Sequence, residues 1–229
     1  MNNHLNITRI KSVYHALSVL REKVVFVGGA TVSLYIDSKT EEIRPTDDID
    51  VVVEIYTHGE YAAFDEKLRK LGFVNDQTSG IICRYIIHGL IVDIMPTQSQ
   101  ALGFTNKWYQ PAFENAIHHS LGDERIKIFT PPYFIASKLE AFIHRGKNDG
   151  RTSTDFEDII FLLENRSTIW EELEEAENNL STYIKETFRK LMEKENFEEW
   201  VNCHAGIGRT PATYFIMEQL GKLTSVNVN

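Results

Sequence analysis

A short apolar run that ends in two glycines, followed by an apolar run headed by alternating aspartates, constrains this chain more than any other feature. The first run ends at Gly28-Gly29, and Asp48 and Asp50 stand at the head of the second run, Ile49 to Val53. Alternate residues of a β-strand face the same side, so the two carboxylates should point together. Neighbouring carboxylates are costly unless a cation lies between them. The stretch therefore predicts a strand that begins at a cation site.

A third aspartate lies in a similar apolar setting, the stretch Leu90 to Met95, where it is Asp93. Three carboxylates on neighbouring strands predict a Mg²⁺ site, because Mg²⁺ binds a few carboxylates together with substrate phosphates. Two plainer interpretations stay open at this point. Asp48 could cap its strand, and Asp93 could be a single exposed acid of a surface hairpin.

The two glycines predict a site for an anion. Val24 to Val27 is valine-rich and too short for a helix, so we expect a strand, and Ala30 to Ile36 follows with a helical pattern. Gly28 and Gly29 let the chain turn sharply and let a ligand approach the backbone closely. The N-terminus of a helix attracts anions, which favours a triphosphate at this turn. Alternatively, the glycines only pack a strand against a helix.

Hydrophobic periodicity divides the chain into two parts at Thr130-Pro131-Pro132, where a helix cap precedes two prolines. We expect an α+β fold, in which residues 1–130 form a catalytic domain with a small mixed sheet and flanking helices, and residues 131–229 form a helical domain. Further elements expected in the first part are helices over Thr8 to Leu20 and Tyr61 to Leu71, strands over Ile81 to Ile87 and Leu90 to Met95 joined at His88-Gly89, helical packing at Trp108, Phe113 and Ile117, and a short strand over Ile126 to Phe129.

Composition limits the function classes. The 229 residues carry a formal net charge of −9, which argues against a broad nucleic-acid-binding surface but allows a local basic cleft or a basic protein partner. No apolar run is long enough to cross a membrane, and the first residues do not have the pattern of a signal peptide. Two cysteines make neither a disulfide framework nor a metal-ligand spacing. We therefore expect a cytoplasmic protein.

The motifs of the first part together resemble the nucleotidyltransferase superfamily of the polymerase-beta type, and in particular its branch of AbiEii-like toxins. The resemblance is carried by Gly28-Gly29, by Arg44-x-Thr46-x-Asp48-Ile49-Asp50 and by Asp93. It implies an enzyme that uses an NTP such as ATP as its substrate, with two Mg²⁺ ions held by Asp48, Asp50 and Asp93. The glycines, Arg44 and Thr46 would then contact the nucleotide, and Asp93 would help the acceptor hydroxyl lose its proton.

A second constellation resembles the fourth motif of the same family. Lys138-Leu139 and Ala141 lead to Arg145, and Asp155-x-x-Asp158 follows in an apolar stretch. On this resemblance Lys138 contacts nucleotide phosphate and Asp155 orients that lysine or binds the nucleotide. Asp155 and Asp158 are three residues apart and so share one helix face. The plainer interpretation is that Asp155 places a favourable charge at a helix N-terminus.

The family resemblance also implies partners. In the toxin branch the acceptor of the nucleotide is RNA, and a neutralising antitoxin protein is the partner. An alternative is a catalytically inactive relative that only binds a nucleotide or another protein. Fold-level analogy alone supports the toxin role.

One further string suggests different chemistry. Cys203-x5-Arg209-Thr210 resembles the phosphate loop of the protein tyrosine phosphatases, in which a thiolate is the nucleophile and an arginine grips the oxyanion. The context is unfavourable, because Lys190 to Val201 looks helical rather than strand-like and no Trp-Pro-Asp general-acid loop occurs. The plainer interpretation, which we prefer, is a glycine-containing turn between two helices.

Overall fold

A mixed β-sheet is the framework of the first of two compact units in this computed structural model, which describes residues 2–37, 44–103, 105–146, 149–206 and 212–225. The first unit comprises the described residues of Met1–Leu34 and Lys39–Thr130, and the second those of Tyr35–Ser38 and Pro131–Asn229. The expected fold class, a mixed sheet with flanking helices followed by a helical region, is confirmed.

The described residues of the first unit place seven strands in the order β3-β4-β5-β2-β1-β7-β6. The pairs β2–β5 and β1–β7 are parallel, and the other neighbouring pairs are antiparallel. The central strands are valine- and isoleucine-rich and largely buried, as expected for strands covered on both faces. The strands are β1 (Val24–Val27), β2 (Asp48–Val53), β3 (Val74–Asn75), β4 (Arg84–Ile87), β5 (Leu90–Pro96), β6 (Ile117–Leu121) and β7 (Glu124–Ile128).

The helices of the first unit precede, or lie between, the strands along the chain. Thr57 begins α2 with a capping box, because its side chain accepts the Glu60 N–H while the Glu60 side chain accepts the Thr57 N–H. The helices are α1 (Asn2–Leu17), α2 (His58–Lys70), α3 (Ser99–Leu102) and α4 (Tyr109–Glu114), with 3₁₀-helices over Ser18–Lys23 and Gly29–Leu34.

The second unit is helical throughout its described residues. An aromatic cluster of Phe142, Phe156, Phe197 and Trp200, with ring centroids 5.2 to 6.3 Å apart, forms part of its core. Such pairs contribute beyond the apolar area they bury. The helices are α5 (Pro131–Arg145), α6 (Thr154–Asn165), α7 (Ile169–Glu174), α8 (Asn178–Met192), α9 (Phe197–His204) and α10 (Ala212–Thr224).

Two local predictions are wrong. The segment after the glycines is a 3₁₀-helix over Gly29–Leu34 rather than an α-helix over Ala30 to Ile36. Ile117 begins strand β6 instead of lying on a helix, because the chain from Ile117 to Leu121 pairs with β7. The hairpin at His88-Gly89 is confirmed, with both residues at positive φ (50° and 77°), as a two-residue type I′ turn requires.

Candidate active site

The three predicted carboxylates lie on one face of the sheet. Strands β2 and β5 are parallel, and their register places Asp50 directly beside Asp93 and Asp48 beside Ile91. Because alternate residues share a face, Asp48, Asp50 and Asp93 all point to the same side. Asp93 is buried, Asp48 and Asp50 are half-buried, and their neighbour Asp47 is exposed.

Arg84, which the sequence did not indicate as a site residue, contacts two of these carboxylates. Arg84 on β4 stands opposite Asp93 across the hairpin. Its Nε donates to Asp93 Oδ1 at 2.8 Å and its Nη2 to Asp93 Oδ2 at 2.7 Å, while Nη2 also lies 3.3 Å from Asp48 Oδ2. Two parallel bonds of this kind are the strong, planar form of an arginine–carboxylate pair. The sequence contains a signal for this pair, because residues at equal distances from the two-residue turn at His88-Gly89 face each other across the hairpin.

The pKa values of the neighbouring groups reflect this pair. The hydrogen bond to Asp93 raises the pKa of Arg84 even further above its ordinary value, so the guanidinium stays charged. Burial, together with the nearby Asp93 charge, raises the pKa of the Cys83 thiol to about 12. A thiol with such a pKa is not a nucleophile at neutral pH.

The Asp50 carboxylate occupies the space that a side chain at position 28 would need. The register of β1 and β2 places Val27 opposite Asp50, and Gly28 follows with a φ of +72°. A Cβ atom on Gly28 would lie only 1.9 Å from Asp50 Oδ2. The Thr31 N–H and hydroxyl both donate to the Gly28 carbonyl, at 3.1 and 2.8 Å, and fix the turn. Gly29 is buried and begins the 3₁₀-helix.

Helix α1 fixes the chain that leads into Asp48. The Asn6 side chain donates to the Arg44 carbonyl and accepts the Thr46 N–H, both at 3.3 Å. Arg9 donates to the Thr46 carbonyl. These contacts hold the backbone of Arg44 and Thr46 in place, and the Thr46 side chain is buried. A contact of either residue with a nucleotide stays a prediction.

The carboxylates suit a divalent cation unequally. Within the described ranges, no group of three or more His, Cys, Asp or Glu side chains is arranged to hold a metal ion. Both oxygens of Asp93 already accept hydrogen bonds from Arg84. Mg²⁺ is commonly held by one or two carboxylates plus substrate phosphates. Asp48 and Asp50 can provide the carboxylates.

The second constellation is a buried ion-pair cluster inside the second unit. Lys138 Nζ on α5 lies 3.2 Å from Asp155 Oδ1 and 2.6 Å from Asp158 Oδ2, both on α6. Arg145 Nε and Nη2 donate to the two oxygens of Asp155 at 2.7 and 2.8 Å. Lys138, Asp155 and Asp158 are all buried, and Ser153 caps α6 just before them. The phosphate role of Lys138 and the nucleotide role of Asp155 stay predictions.

We expect the contribution of this cluster to stability to decrease at low pH. Burial of Asp155 by itself raises its pKa, but the hydrogen bond from Arg145 and the charges of Lys138 and Arg145 outweigh it and hold the pKa below its ordinary value. A lowered folded-state pKa contributes stability that is present above the unfolded pKa of about 4 and is lost as the pH falls through the folded value. The difference in unfolding free energy between wild type and Asp155→Asn should therefore shrink between pH 7 and pH 3. An equal difference at both pH values would contradict this assignment.

The phosphatase-like string begins within a helix. Cys203 lies within helix α9 and is exposed. A thiolate nucleophile of that class needs a loop that follows a buried strand, and a helix precedes Cys203 instead. Arg209 and Thr210 lie outside the described residues.

Comparisons with known proteins found similarity to solved structures alone. No protein-family model matches the chain, and no curated protein matches it significantly. Two solved structures are similar to it. One is the solution structure of the antibiotic-resistance factor ANT(2'')-Ia, with 12% identity, a TM-score of 0.49, and coverage of 83% of this chain and 94% of that one. The other is an antigenic nucleotidyltransferase-like protein from Paracoccidioides brasiliensis, with 18% identity, a TM-score of 0.49, and coverage of 86% and 92%.

Among the described residues, no helix is both long and apolar enough to span a membrane.

Proposed function

We propose that this chain is a nucleotidyltransferase, which moves a nucleotide from an NTP to an acceptor hydroxyl. The observation that supports the proposal most is the placement of Asp48, Asp50 and Asp93 on one face of two parallel strands, beside the Gly28 turn. Such a face concentrates negative charge where a phosphate-bound cation would be needed. The sequence resemblance described above points to the same chemistry.

The proposed reaction is a single displacement at phosphorus. The acceptor oxygen forms a bond to the α-phosphorus of the NTP, the bond from that phosphorus to the bridging oxygen breaks, and pyrophosphate leaves. Asp48 and Asp50 would hold Mg²⁺, which when bound offsets the charge on the phosphate oxygens. Asp93 would help the acceptor hydroxyl lose its proton. The Gly28-Gly29 turn lets the triphosphate approach the backbone.

The acceptor class that we propose is RNA, and the biological role is that of a toxin with an antitoxin partner. Both rest on the resemblance of the motifs to AbiEii-like toxins. The net charge of −9 does not oppose this role, because a local cleft suffices for an RNA end and a basic surface of the partner would complement an acidic protein.

Transfer should depend on Asp48 and not on its neighbour. In a labelled-NTP assay with total cellular RNA and protein as acceptors, wild type should label RNA with Mg²⁺ and not with EDTA. Asp48→Ala should lower the rate at least about a hundredfold, because loss of a cation ligand removes several kcal/mol of charge stabilisation. Asp47→Ala is the matched control, since Asp47 is one residue away and exposed.

Each other outcome of this assay has a definite meaning. Label on protein would keep the chemistry and replace RNA as the acceptor. Equal loss in Asp47→Ala and Asp48→Ala would remove the special role of the shared face. No label with any of the four NTPs would reject the enzyme.

One observation favours a second candidate, a relative that binds a nucleotide or a partner without turnover. Arg84 engages both oxygens of Asp93 and approaches Asp48, so the carboxylates already have a counter-ion. Binding of NTP in equilibrium dialysis, with no product against any acceptor, would select this candidate over the enzyme.

A further inference from the structure

The guanidinium of Arg84 lies where it bridges carboxylates of two strands. Its Nη2 is 2.7 Å from Asp93 Oδ2 on β5 and 3.3 Å from Asp48 Oδ2 on β2. The side chains of Arg84 and Asp93 are only 18% and 13% exposed, whereas that of Asp48 is 37% exposed. A single positive group thus joins the two carboxylates, as a bridging metal ion would.

The position of Arg84 is set by the backbone as well as by its side chain. Its carbonyl accepts the Asp76 N–H at 2.9 Å, its N–H donates to the Ile81 carbonyl at 3.1 Å, and the hairpin register places it opposite Asp93. The planar fork of an arginine matches a carboxylate with little loss of side-chain freedom. The guanidinium is therefore a built-in cation of the site.

The contacts of Arg84 distinguish the carboxylates that a metal ion could use. Asp93 has both oxygens engaged by Arg84, whereas Asp48 is the most exposed member of the Arg84 cluster. Mg²⁺ needs only one or two carboxylates when water and phosphates complete its shell.

We propose that Arg84 takes the place of a second metal ion, so that the site binds one divalent cation, at Asp48 and Asp50, and Asp93 is not a metal ligand. This inference rests on the proposed function, because it concerns the same carboxylates. It replaces the two ions implied by the sequence resemblance with one ion and one arginine.

Counting bound Mn²⁺ tests the inference without measuring activity. Titration of the full chain with Mn²⁺ in the absence of nucleotide, followed by electron paramagnetic resonance of the free ion, gives the number bound per chain. Wild type should bind one Mn²⁺, and Arg84→Gln should gain a second, because Asp93 is then released. Arg69→Gln is the matched control, since it removes an exposed arginine from the same unit and should leave the number at one.

A second pair of variants keeps the test decisive if Arg84→Gln does not fold. Asp93→Asn keeps the shape of the side chain and should still bind one Mn²⁺, whereas Asp48→Asn should lose it. Two Mn²⁺ ions in wild type, or loss of Mn²⁺ in Asp93→Asn, would overturn the inference while transfer activity in the labelled-NTP assay left the proposed function standing. Absence of Mn²⁺ binding together with absence of transfer would overturn both.

Discussion

Replacing Lys138 by Met is expected to lower the free energy of unfolding by about 3 to 5 kcal/mol, because it removes a buried cation that two buried carboxylates contact. Lys138 Nζ contacts both Asp155 and Asp158, and all three side chains are buried. Methionine fills a similar volume, so the expected loss comes from charge rather than from a cavity. Arg145 still pairs with Asp155, but Asp158 loses the contact of its Oδ2 with the Lys138 ammonium.

Urea unfolding followed by circular dichroism measures this effect. The matched control is Arg151→Gln, which breaks an exposed pair with Asp149 in the same unit and should change stability little. Lys138→Arg separates charge from shape, since it keeps the positive group. If Lys138→Met were as stable as Arg151→Gln, the cluster would not support the fold, and a ligand role would become the main reason for a buried lysine here.

The strands of the site could be predicted because short stretches of sequence specify them without contacts from distant residues. The valine-rich run before the glycines and the alternation of Asp48 and Asp50 specify strands by themselves. The turn at His88-Gly89 even fixes the partner of Asp93, because each step outward from a two-residue turn pairs two residues and the fourth such pair is Arg84 and Asp93. That pairing could have been derived from the sequence and was missed.

Other features depend on contacts between distant parts of the chain. The parallel register that places Asp50 beside Asp93 joins residues far apart in sequence. Strand β6 contains the polar run His118-His119-Ser120 and forms because β7 pairs with it, so its propensity alone did not indicate a strand. The segment after Gly29 has a helical pattern, and the pattern does not distinguish a 3₁₀-helix from an α-helix.

The charge cluster of the second unit likewise depends partly on local sequence and partly on contacts between distant residues. The three-residue spacing of Asp155 and Asp158 predicted a shared helix face, and both aspartates contact Lys138 from α6. What the spacing could not provide was the packing of α5 against α6, which decides that Lys138 meets carboxylates in the protein interior.

Gly28→Ala is expected to lower transfer about a hundredfold, because it displaces the Asp50 carboxylate. The new Cβ would lie 1.9 Å from Asp50 Oδ2, a distance that real atoms do not adopt, so the carboxylate must move by about 1 Å or more. A displacement of that size at a reacting centre can cost about two orders of magnitude in rate. The positive φ of +72° adds about 1–2 kcal/mol of backbone strain.

Gly89→Ala separates these two contributions. Gly89 has a φ of +77°, close to that of Gly28, but a Cβ there meets no atom within 4 Å. Both variants should therefore lose similar stability from the backbone, measured by thermal unfolding, whereas only Gly28→Ala should lose transfer in the labelled-NTP assay. Transfer at the wild-type rate by both variants would show that the Asp50 carboxylate does not need its place above Gly28. A large loss in both would instead assign the effect to strain in the sheet, because Gly89 lies at the tip of the hairpin that carries Arg84 and Asp93.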